Sequence, residues 1–160
     1  MTIDLHNLNN LLFKTDKKFD VIYADFIYED LDFTWVYHFW NMLKDGGVMI
    51  QQTDYHSVAE IKIFTQRMRD ANFLNWLTWK NEFGNFRKDR FRQCHDDILI
   101  FSKGKNCVWH PEKIQVPKAT AGSKGLNKSG RETKLATSVI TDICLTTVAK
   151  ERVKKEDGHN

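Results

Sequence analysis

No apolar run in this 160-residue chain approaches the ~20 residues that span a bilayer. The opening Met1-Thr2-Ile3-Asp4 lacks the charged start and apolar stretch of a secretory leader. Together these absences lead us to expect no membrane association and a cytoplasmic location. Cysteine is also scarce. Cys94, Cys107 and Cys144 are too few and too widely spaced for a disulfide framework or a Cys-x-x-Cys metal pair. The six histidines are scattered, with no His-x-x-x-His pairing, so no metal site is expected. Glycine never forms a clustered turn directly after a strand-like run, although Gly46, Gly47, Gly122, Gly125 and Gly130 are present. No internal repeat is visible.

The composition, 41% hydrophobic and 28% charged, is that of a soluble chain with a core. Its net charge of +3 hides an uneven distribution. Residues 1 to 60 carry 4 basic and 10 acidic side chains, residues 61 to 117 carry 11 and 6, and residues 118 to 160 carry 9 and 5. An acidic start followed by a basic remainder suits a polyanion lying across the later segments, although a solvated mixed-charge surface reads the same way.

The pattern of residues predicts an α/β fold. Thr2 to Leu5, then Leu8, Leu11 and Leu12 at helical spacing, suggest a short strand and a helix. Phe19 to Ala24 is a β-rich run of the kind buried on both faces of a parallel sheet, and it ends at Asp25. From Leu31 to Lys44, Trp35, Phe39, Met42 and Leu43 share a helical face, and Gly46-Gly47 follows as a stop. Trp35, Phe39 and Trp40 read as core at that periodicity rather than as a substrate platform. Val48-Met49-Ile50 reads as a second buried strand, making a parallel crossover with the first. Ser57 and Glu60 have capping-box spacing ahead of a helical stripe reaching about Ala71. Phe73 to Lys80 and Asp97 to Phe101 complete the strands. After Pro117 the texture becomes small, polar and basic, and a flexible loop is expected over about 118 to 137. Two regions are thus expected, 1–117 and 118–160.

Ligands of open parallel sheets bind beyond the carboxyl ends of the strands, where Asp25-Phe26-Ile27-Tyr28 is expected. A carboxylate there accepts a hydrogen bond from an exocyclic amine, and a tyrosine ring stacks on a base, a pairing suited to a flipped nucleobase. Asp20 to Tyr28 resembles the stretch of DNA N6-adenine and N4-cytosine methyltransferases that ends in Asp-Pro-Pro-Tyr. Leu43 to Ile50 is similar to the segment that leads into their next strand, His95 to Gly104 to a later strand, and Lys150-Glu151-Arg152 to a short basic segment. The resemblance covers most of residues 1 to 155.

It implies a partial Rossmann-like methyltransferase sheet with helices on both faces, and transfer of a methyl group from S-adenosylmethionine to a base amine. Adenine N6 stands ahead of cytosine N4. Asp25 would hold the amine, the Phe26 carbonyl would add a second acceptor, Ile27 completes the loop, and Tyr28 would stack, worth ~1 to 3 kcal/mol. Phe26 and Ile27 stand where the family has prolines, so the fixed φ of that loop is lost. The aromatic-x-Gly-x-Gly cofactor turn is not found either, so a second chain or a missing C-terminal half is expected to carry it. The basic residues Arg87, Lys88, Arg90 and Arg92, interleaved with Phe86 and Phe91, suit phosphate contact, although a solvated loop reads the same way. Lys124, Lys128 and Arg131 suit a DNA-contacting loop, as do Lys118 and Lys134, although an ordinary linker fits them equally. The alternative is a catalytically inactive methyltransferase-like module that binds DNA or a partner.

Overall fold

The computed structural model describes residues 16–25, 33–81, 88–122 and 129–141. The strand and helix expected over residues 2–12 lie outside them. Within them the order is β1 (Phe19–Asp25), α1 (Thr34–Met42), β2 (Leu43–Thr53), α2 (Val58–Gln66), β3 (Ala71–Lys80), β4 (His95–Lys103), β5 (Gln115–Pro117), β6 (Thr133–Leu135) and β7 (Val139–Ile140). One sheet runs in the order β1-β2-β4-β3-β7, and β5 pairs with β6 in a second. The first sheet is mixed: β1 lies parallel to β2 and β7 to β3, whereas β4 is antiparallel to both of its neighbours. This is the expected α/β class in its partial, Rossmann-like form.

The core forms on one face of the sheet. Val36, Phe39 and Trp40 of α1 and Val58 and Ile61 of α2 join Ala24, Met49, Leu99 and Phe101 in one buried cluster. Phe33, just ahead of α1, meets Phe64 of α2 with ring centres 5.6 Å apart. The two described α-helices therefore share a face. The alternation of a strand sends every second side chain the other way. On β1 those are Val21 and Tyr23, each 56% exposed. The sequence pattern predicts burial of β1 on both faces. It is instead the sheet's edge strand among the described residues, and both described α-helices lie on its other side.

Other boundaries shift for local reasons. The α1 helix ends at Met42 because Leu43 is extended and already pairs with Phe19 of β1. The glycines thus fall inside β2 rather than at a helix stop. Gly46 takes a φ of +79°, and the register slips between the Phe19 and Val21 pairings. Gly47 packs so closely that a Cβ there would lie 2.9 Å from the Lys44 carbonyl oxygen and 3.1 Å from that of Asp20. Lys103 Nζ donates to the carbonyls of Trp40 and Leu43, at 3.2 and 3.1 Å, covering the end of α1.

The predicted capping box does not form: Ser57 makes no capping hydrogen bond, and its buried hydroxyl is unpartnered. Asp54 caps the turn instead, its Oδ1 accepting from the His56 and Ser57 amides at 3.1 and 3.2 Å. The α2 helix stops at Gln66, short of Ala71, because Asp70 turns left-handed at φ 61° and β3 starts at once. The expected loop over 118 to 137 is partly paired. Thr133, Lys134 and Leu135 oppose Pro117, Val116 and Gln115, and Val139 and Ile140 add β7 to the main sheet.

The close approach at Gly47 yields a prediction. Gly47→Ala should destabilise the chain by about 1–3 kcal/mol, because the carbonyls it meets are backbone and cannot swing aside. Urea denaturation monitored by circular dichroism measures it.

Candidate active site

Strand directions bring chemically distinct segments to one edge. β1, β2 and β3 end there and β4 begins there, because Asp25 opposes Gln52, Thr53 opposes Asp97, and Lys80 opposes His95. The Asn81 amide extends the ladder by donating to the Cys94 carbonyl at 2.8 Å. Asp25 stands at the carboxyl end of β1, as expected. Phe26, Ile27 and Tyr28 lie outside the described residues, as do Arg87, Lys124 and Lys128.

Around Asp25 the side chains form a connected polar group. The Tyr23 hydroxyl donates to Gln52 Oε1, and Gln52 Nε2 donates to Asp96 Oδ2 at 3.3 Å. Asn81 donates a second hydrogen bond to Asp96. On the core side, Asp97 is buried, accepts from Trp76 Nε1 at 2.7 Å and lies 3.9 Å from His95 Nε2. Burial, and secondly the negative charge of Asp96, holds the Asp25 carboxyl above the ordinary carboxylate range. Asp96 is raised as well, by burial first. Hydrogen bonds from Asn81 and Gln52 and the nearby His95 oppose that rise, and Asp97 adds to it.

The basic connection from β3 to β4 leaves from and returns to this same edge. Within it Arg90 donates to Asp89 at 2.7 and 3.0 Å, and Lys88, Phe91 and Arg92 are exposed. The described residues 88–92 lead into β4 at this edge, whereas Arg131 stands elsewhere, two residues ahead of β6 of the small sheet. Sequence reasoning passed over Tyr23, Gln52, Asn81 and Asp96. The adjacent carboxylates Asp96-Asp97 at the start of an apolar strand were the one visible signal.

The arrangement is a carboxylate with a raised proton affinity at a strand's carboxyl end, near a second carboxylate, Asp96, that two side-chain amides hold. The DNA methylase family model for the N6/N4 enzymes matches residues 14–159. The chain belongs to the N6/N4 DNA methylase family. Among curated proteins, the type II methyltransferase M1.MboII of Moraxella bovis is 28% identical over 95 residues, 55% of this chain and 36% of that protein. The chain thus spans little more than a third of that relative's length. Among solved structures, the M1.HpyAVI–SAM complex superposes with a TM-score of 0.49 at 18% identity, over 58% of this chain and 48% of that one. A second structure, of M1.HpyAVI, superposes at 0.49 and 17% over the same shares.

For this methylase chain, S-adenosylmethionine is the donor that the resemblance implies. Binding it needs a close backbone approach, which glycines at the carboxyl edge would allow. Of the described glycines, Gly46, Gly47 and Gly104 lie at the opposite edge, and Gly122 and Gly130 lie between β5 and β6. The described residues do not fit that donor. A cleft of about 330 Å³ between Asp45, Gly46, Asp70 and residues 103–106 also lies at the opposite edge, away from Asp25. Among the described residues no helix is long and apolar enough to cross a membrane, and no three His, Cys, Asp or Glu side chains group as metal ligands.

The raised Asp25 carboxyl makes stability depend on pH. A carboxyl whose folded proton affinity exceeds its unfolded one costs nothing below the ordinary carboxylate range and costs stability as pH rises through its raised value. Asp25→Asn removes that cost. Urea melts should show the variant more stable than the parent at about pH 7, and the gain should vanish near pH 3, below the unfolded carboxylate value of about 3.9.

Proposed function

We propose that this chain is the amine-holding part of a site-specific DNA amino-methyltransferase acting on adenine N6, ahead of cytosine N4, in a base flipped from the duplex. The observation that carries this reading is the position of Asp25, a carboxylate of raised proton affinity at the carboxyl end of β1, in a chain of the N6/N4 methylase family. Asp25 accepts a hydrogen bond from the exocyclic amine. That bond draws the nitrogen lone pair away from conjugation with the ring and makes the nitrogen more nucleophilic. The Phe26 carbonyl offers a second acceptor, Ile27 completes the loop, and Tyr28 stacks on the base.

Phosphates of the same DNA would meet Arg87, Lys88, Arg90 and Arg92, with Lys124, Lys128 and Arg131 as a second basic group. The connection holding residues 88–92 starts and ends at the Asp25 edge, which supports this use. S-adenosylmethionine, the donor implied by membership of the family, would be held by residues other than those described, in a further segment or a partner chain.

One observation favours a second reading, a methylase-like module that binds DNA or a partner without catalysis. Phe26 and Ile27 replace the two prolines of the family's loop. Pre-organisation to within ~0.5 Å decides such sites.

The two readings separate on one variant. In the full protein that carries this chain, Asp25→Ala should lower transfer of labelled methyl to DNA by about 100-fold or more while DNA affinity stays unchanged. Equal transfer by parent and variant contradicts the catalytic reading. Absence of transfer from a parent that binds DNA favours the inert module.

A further inference from the structure

In the β1–β2 register Gln52 sits directly opposite Asp25, and its side-chain amide is engaged at both ends. Its carbonyl accepts from Tyr23, and its amino group donates to Asp96 Oδ2 at 3.3 Å. Asn81, from the end of β3, holds Asp96 from a second direction. Two amides reaching from neighbouring strands thus fix this carboxylate at the edge where Asp25 stands. A surface aspartate without such partners would rotate into water, where a neighbouring charge is strongly screened.

We propose that Asp96 is a positioning residue of this site, a second carboxylate held in place by Gln52 and Asn81 whose negative charge makes Asp25 the better acceptor for a nucleobase amine. The inference rests on the reading of Asp25 as the amine holder and deepens it. A carboxylate that binds protons more tightly accepts a stronger hydrogen bond from a weak N–H donor. Asp96 supplies this without touching the base. The titratable groups around Asp25 are Tyr23 on its own strand, Asp96 with His95 and Asp97 on β4, and Lys80 at the end of β3. Of these, Asp96 is the charge that acts on the Asp25 carboxyl. Asn81 Oδ1, buried and unpartnered, is a further acceptor next to the pair.

Carboxyl chemical shifts of ¹³C-labelled aspartate, followed through an acid titration of this chain, test the proposal without any methyl transfer. Asp25 should titrate above the ordinary aspartate range. In Asp96→Asn its midpoint should fall toward that range, and in Asp96→Glu, which keeps the charge, it should stay raised. Gln52→Leu, which releases Asp96, should lower it by a smaller amount and carries the same test if Asp96→Asn fails to fold. In the full protein, the acidic limb of the kcat profile should move to lower pH in Asp96→Asn, with KM for DNA unchanged. An Asp25 midpoint that does not respond to Asp96→Asn or Gln52→Leu, in chains with parental amide spectra, overturns the proposal. Failure of the catalytic reading would show instead as Asp25→Ala retaining methyl transfer, an outcome independent of this titration.

Discussion

The site depends on one register, the parallel pairing of β1 with β2 that sets Asp25 against Gln52. Because β2 pairs antiparallel with β4, the same register places the start of β4, with His95, Asp96 and Asp97, beside the ends of β1 and β2. A one-residue slip would turn each side chain to the other face of the sheet. Asp25 would then point toward the core, and Gln52 would leave its partners. The buried cluster of Met49, Leu99 and Phe101 beneath the helices opposes that slip. Packing on one face thereby fixes a polar constellation on the other.

This arrangement is costly to the fold. Burial raises the proton affinity of Asp25 and of Asp96, the charge of Asp96 adds to the rise at Asp25, and each departure from the ordinary value measures lost stability at neutral pH. One buried polar pair on the core side is satisfied within the fold. Gln51, fully buried, donates to Thr65 Oγ1 at 3.1 Å, and Thr65 passes the bond to the Ile61 carbonyl at 2.8 Å. Raised carboxylates gathered at one sheet edge are what a functional site produces.

Much of the fold was legible in the sequence because apolar β-branched runs and a helical stripe are local signals. β1, β2, β3, β4 and both helices appear in the order the periodicity indicates. The misses were non-local. The Ser57–Glu60 spacing suggested a cap, yet the side chain that bonds the turn ahead of α2 is Asp54, which reaches forward to the His56 and Ser57 amides. Gly46 and Gly47 looked like a helix stop, and they serve a close passage of β2 past Asp20. Thr133 to Leu135 carries little apolar pattern, and its strand exists through pairing with Gln115 to Pro117. In the site, Asp25 was legible as an acid closing a strand. Gln52 and Asp96 were not, because they meet it across strands, 27 and 71 positions away in a sequence that shows no such proximity.

Whether the carboxyl edge bearing Asp25 receives the nucleobase is tested most directly by the amide and side-chain chemical shifts of the isotopically labelled chain, recorded as a short adenine-containing single-stranded DNA is added. The largest changes should fall on Asp25, on the Gln52 and Asn81 side-chain amides, and on Asp96, with smaller ones over residues 88–92. Changes concentrated instead at Gly46, Asp70 and residues 103–106, around the cleft at the opposite edge, would contradict it.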